Sequence, residues 1–117
     1  MNTEALKRLA DALEAACAIE RFTAGQSQDG FESNELLYSA VERKFEIIGE
    51  ALKLAELADS SVIESVPELR KIIGMRNRII HSYDAVDHDV LWMTLRKWLP
   101  ILKRQLMESL AQEPEGL

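Results

Sequence analysis

A chain of 117 residues, 47% hydrophobic with only five glycines, suffices for one domain with its own core and is too short for two, and a formal charge of −6 excludes a protein that coats nucleic acid through an overall basic surface. A single cysteine excludes an intrachain disulfide, and two histidines without cysteine pairs leave little for structural zinc. The longest apolar run, AACAI at 15–19, falls far short of the roughly 20 residues of a membrane span, and the acidic start lacks the regions of a signal peptide, so no membrane and a reducing cytoplasm are expected.

Apolar spacing predicts helices throughout. Leu6, Leu9, Leu13, Ala16 and Cys17 line one side of a first helix that ends before the polar TAGQSQDG stretch at 23–30, read as a loop. A second helix is predicted from about Ser33, its cap, to Leu57, with Leu37, Val41, Ile48, Leu52 and Ala55 on one stripe. Gly49 interrupts it, and a mid-helix glycine, costing about 1 kcal/mol against alanine, points to close approach of another backbone. The third helix opens in SVPELR, where Ser65 and Glu68 have capping-box spacing with Pro67 in the first turn, and extends to about His81. Asp87 is placed to cap a fourth, whose seam is Leu91, Leu95, Trp98, Leu102 and Leu106, with Pro100 expected to bend it. The tail from about 112 should fray. The expected architecture is all-α, a single antiparallel four- to five-helix bundle over residues 1–117.

Charge is unevenly spread. Residues 1–65 hold 6 basic and 13 acidic side chains, whereas 66–83 hold Arg70, Lys71, Arg76 and Arg78 against Glu68 alone. Within that positive segment Leu69, Ile72, Ile73, Ile80 and Tyr83 follow helical spacing, and Arg76 occupies the missing step. Burying an unpaired guanidinium is very costly, so Arg76 meets a carboxylate such as Glu46 or Glu50, lines a cleft, or faces another subunit. Asn77 and His81, four apart, share a face, but Arg76 and His81 lie roughly 140° apart around an ideal helix. Either the helix distorts near His81 or a symmetric dimer brings copies together.

The run RNRIIH followed by SY resembles the signature of HEPN domains: an Arg, a polar residue, and a His a few positions on. RNRIIHSY together with FEIIGEA at 45–51 and the DHDVLW start of the last helix is similar, more narrowly, to the HepT-like toxins of toxin–antitoxin pairs. That resemblance implies a HEPN bundle acting as a homodimer, a metal-independent endoribonuclease with Arg76, Asn77 and His81 as catalytic residues and no cofactor. It also implies a minimal nucleotidyltransferase antitoxin that attaches AMP groups to Tyr83. Arg70, Lys71 and Arg78 are candidates for binding RNA, whether tRNA or mRNA, through its phosphates.

Plainer roles compete with these. His81 near a helix end is also a C-terminal cap, Tyr83 a core aromatic, and Trp92 and Trp98 core or interface residues rather than base-stacking platforms. Asp84, Asp87, His88 and Asp89 are read as dipole complements and a cap around a helix start rather than as a metal site. The competing functional class is a non-catalytic helical module that binds the nucleotidyltransferase or a nucleotide.

Overall fold

The computed structural model describes residues 1–79 and 87–112, leaving aside the side chains of 77–79. Within them the chain is all-α, as the spacing predicts. Its long elements are α1 (Thr3–Thr23), α3 (Glu35–Ala58), α5 (Leu69–Ile79) and a composite last helix. That last helix comprises α6 (His88–Met93), a π-helical turn (Thr94–Trp98) and α7 (Leu99–Gln112). Two short helices, α2 (Gln28–Glu32) and α4 (Val62–Ser65), connect them.

Named contacts fix the directions. Asn2 Nδ2 donates to the Ala58 carbonyl at 2.6 Å, joining the start of α1 to the end of α3. Arg70 reaches Glu56 at 2.7 Å while Arg76 lies against Gly49, so α5 runs antiparallel to α3. Lys103 of α7 donates to Glu20 of α1 at 2.6 Å, and Ser109 of α7 reaches the Ser65 carbonyl at 3.4 Å.

The stripes close into one core containing Leu9, Ile19, Phe31, Phe45, Ile48, Leu52, Leu69, Ile72, Leu91, Leu99 and Leu102, all fully buried. Burying each such side chain contributes about 1.5–3 kcal/mol. On α1 the buried set is Ala5, Leu9, Ala12, Ala15, Ala16, Ala18, Ile19 and Thr23, while Leu6 and Leu13 are half-buried. The stripe is therefore rotated from the leucine-based expectation, because small alanines let α3 approach closely.

Several expected ends move. Ser33 closes α2, and Asn34 caps the next helix instead, accepting from the Leu37 N–H at 3.1 Å. The 23–30 stretch is not all loop. Gly25, at φ +76°, takes the left-handed turn, and Ser27 then caps α2 by accepting from the Gly30 N–H. Phe31 explains this local folding, since its buried ring packs 5.2 Å from Trp92 and 6.5 Å from Tyr38. The Ser65 capping box does not form: Ser65 ends α4, and the Glu68 N–H donates to Gln105 Oε1 of α7 at 3.1 Å. Asp87 caps α6 as expected, accepting from the Val90 N–H at 3.1 Å. Pro100 acts on the turn before it, where Leu99 N–H bonds to the Thr94 carbonyl in a widened π turn. A proline cannot donate to the carbonyl four residues back and its ring collides with it, and the wider turn accommodates both defects. Thr94 adds to the distortion by donating its hydroxyl to the Val90 carbonyl at 2.7 Å.

Candidate functional site

Arg76 lies where the interrupted stripe puts it, on the side of α5 that faces α3. It is half-buried, with its Nε enclosed. The neighbour it displaces is a missing one: a Cβ built on buried Gly49 would collide with Arg76 Cδ and lie 3.1 Å from Nε. The glycine thus admits an arginine side chain rather than the backbone that its position suggested. Glu46, on the next turn, stands 3.6 Å from Arg43.

Two turns earlier on the same side of α3, about 10 Å from Gly49 along the axis, the start of α6 is fixed. His88 stacks on Tyr38 with ring centres 4.1 Å apart and holds Nε2 3.7 Å from Glu42 Oε1. Burial pushes the Glu42 carboxyl above its ordinary value of 4.5, the His88 charge opposes that rise, and Glu46 adds to it. Hence the helix carrying Arg76 and the helix beginning at His88 are both anchored to one face of α3. This Tyr38–Glu42–His88 cluster escaped the sequence reading. The seven-residue spacing of Glu42 and Gly49 on one face was its only linear trace.

Residues 80–86, including His81, Tyr83 and Asp84, lie outside the described residues, as do the side chains of Asn77 and Arg78; the backbones of the latter two continue α5. Asp87, His88 and Asp89 turn three ways: Asp87 to its cap, His88 to Glu42, and Asp89 to accept from Gln28 at 3.1 Å. Of the expected phosphate-binding set, exposed Arg70 is engaged by Glu56, and Lys71 lies 3.7 Å from Glu68 Oε2 and 3.7 Å from the Trp98 ring centre. Trp92 packs on Phe31, and the Arg96 guanidinium lies over its ring, 4.5 Å from the centre. A groove of about 340 Å³ between α1 and α3, lined by Arg8, Asp11, Arg43, Glu46 and Glu50 among others, includes neither Arg76 nor Lys71. Among the described residues no helix is long and apolar enough to cross a membrane.

This arrangement, an arginine at the start of the RNRIIHSY run seated by a glycine of the facing helix, can be set beside known proteins. The family model described as ribonuclease HepT-like matches residues 12–109. The chain belongs to that family. It is 36% identical over 100 residues to a candidate RNase of Caldanaerobacter subterraneus subsp. tengcongensis, covering 86% of this chain and 88% of the relative. A candidate RNase of Methanocaldococcus jannaschii is 32% identical over 110 residues, covering 92% and 88%. A candidate ribonuclease HepT of Thermococcus cleftensis is 37% identical over 95 residues, covering 81% and 86%. No solved structure matches. The HepT-like assignment agrees with the HEPN resemblance carried by the motif, and the matched span contains every element from the middle of α1 to the end of the core-forming part of α7.

Proposed function

We propose that this HepT-like chain is a metal-independent endoribonuclease, the toxin of a toxin–antitoxin pair, working as a homodimer whose two RNRIIHSY motifs face each other across the interface. The carrying observation is the Gly49–Arg76 fit, because it fixes a guanidinium at the edge of α3 without a Cβ beneath it. In the proposed reaction the RNA 2′-hydroxyl loses its proton to a base and attacks the adjacent phosphorus. The bond to the 5′-oxygen breaks as an acid protonates that leaving group, giving a 2′,3′-cyclic phosphate and a 5′-hydroxyl. His81, of a residue type that titrates near neutrality, moves protons. Arg76 holds the non-bridging oxygens through its planar fork as their charge grows. Asn77 orients the phosphate or the imidazole. Arg78 and Lys71 attract the RNA backbone, with Arg70 joining when it leaves Glu56.

Tyr83, two residues beyond His81, is the proposed site where the nucleotidyltransferase antitoxin attaches AMP. The added phosphate charge repels RNA from the cleft. Purified chain incubated with labelled tRNA and mRNA in EDTA should yield cyclic-phosphate ends, and His81→Ala or Arg76→Ala should abolish them while leaving the oligomer intact. A gel shift without cleavage would instead establish the binding-module function, and cutting by pure His81→Ala would remove the assignment of that residue. Co-expressed with the antitoxin, Tyr83→Phe should stay toxic; full neutralisation of that variant sinks the modification step.

A further inference from the structure

The outer side of α5 carries two features that packing among the described residues does not explain. A Cβ added at Gly74 would meet nothing within 4 Å, and the residue is exposed. A mid-helix glycine costs about 1 kcal/mol against alanine. At Gly49 the seat of Arg76 offsets that cost; at Gly74 no described neighbour does. Three residues before it, Lys71 holds its ammonium 3.7 Å from the Trp98 ring centre, and Lys97 brings a second to 5.0 Å from the same ring. Two like charges gather around one indole, each attracted by its π system, in a chain whose net charge is −6. Glu68, 3.7 Å from Lys71, offsets part of this charge. By helical spacing Arg78 sits on the same face as Lys71, seven residues on, with Gly74 between.

We propose that Lys97 and Lys71 around Trp98, continued by the bare backbone at Gly74, form a ledge that binds the phosphate backbone of the RNA substrate. The lysines act as point charges for neighbouring phosphates, and Trp98 gathers both ammonium groups at one spot. Without a side chain at Gly74 the sugar–phosphate chain approaches the helix closely on its way toward the motif, which begins at Arg76 within α5. An acidic protein would seek the same charges, yet protein interfaces need an apolar anchor at their centre. The apolar body of this ledge is Trp98, half-buried and approached by two lysines. A polyanion fits better. The inference rests on the ribonuclease function and adds Lys97, Trp98 and Gly74 to it.

The test is anisotropy of a labelled single-stranded RNA titrated with the full chain across a salt series, in a His81→Ala background so that the RNA stays whole. Lys71→Gln and Lys97→Gln should each reduce the slope of log affinity against log salt by about 0.7, weakening binding about fivefold near 0.1 M salt. With His81 intact, both should raise KM and leave kcat unchanged. Gly74→Ala should raise the thermal midpoint through helix propensity and still weaken RNA binding, a pairing that a purely structural glycine does not produce. Unchanged salt slopes in both lysine variants, or full RNA affinity in a stabilised Gly74→Ala protein, overturns the ledge. So does loss of antitoxin binding with RNA affinity intact, which gives the face to a protein. If the wild-type chain binds RNA through these residues and forms no cyclic phosphate, the ledge stands and the ribonuclease function falls.

Discussion

Gly49 and Arg76 share one volume between α3 and α5, so a substitution at the glycine acts first on the arginine. Alanine at an ordinary mid-helix position gains about 1 kcal/mol over glycine. At this position its methyl needs the space of Arg76 Cδ. An arginine stem is flexible, and it moves at lower cost than two packed helices part. Gly49→Ala should therefore keep or slightly raise the thermal midpoint while displacing the guanidinium, with single-turnover cleavage falling by about a hundredfold, the scale of a misplacement near 1 Å. Full cleavage by this variant would show that Arg76 needs no such seat. Both residues are conspicuous in the sequence, one as a glycine inside a helix and the other as a charge inside an apolar stripe. What the linear text lacks is their pairing, since no local rule joins positions on different helices.

Helix ends are held at this scale by side chains that serve two elements at once. Asn2 caps α1 by accepting from the Ala5 N–H at 2.8 Å, while its backbone N–H donates to Asp59 just past α3. Asp59 also accepts from the Ser61 hydroxyl at 2.7 Å and the Ser61 N–H at 3.0 Å. These bonds, the Ser61 hydroxyl foremost, then the Ser61 and Asn2 amides, hold the Asp59 carboxyl below its ordinary value of 3.8. A depressed folded-state value stabilises the fold above the unfolded value, and that contribution is lost as pH falls through the folded one. Asp59→Asn should thus lower the thermal midpoint at pH 7, with the gap to wild type closing below about 3.8. A gap that stays constant into acid would mean that shape, not charge, holds the clasp. Local caps of this kind are legible where donor and acceptor are three residues apart, as at Asp87. They fail where a distant element intervenes: Gln105 takes the Glu68 N–H that a Ser65 box would use. Likewise α2 forms around Phe31 only because Tyr38 and Trp92 are there to receive it.

At the scale of the whole molecule, a stripe pattern sufficed for the bundle because each amphipathic helix has one face to bury, whichever neighbours it meets. The site asks more. On one straight helix Arg76 and His81 would lie roughly 140° apart, and α5 is antiparallel to α3 with Arg76 turned toward it. In the proposed homodimer each cleft therefore takes its guanidinium from one protomer and its imidazole from the other. Mixing tests this directly. In a heterodimer of one Arg76→Ala protomer that keeps His81 and one His81→Ala protomer that keeps Arg76, one cleft has lost both groups and the other has both. Equimolar mixing and exchange of the two inactive proteins should then restore about a quarter of wild-type cleavage, because half of the dimers are mixed and each has one working cleft. If arginine and histidine act within one protomer, every cleft in the mixture lacks one of them, and the mixture remains as inactive as its components. Exchange must be verified by tagging the two proteins differently and recovering both tags on one dimer; silence after verified exchange rejects the shared cleft while leaving a ribonuclease confined to each protomer intact.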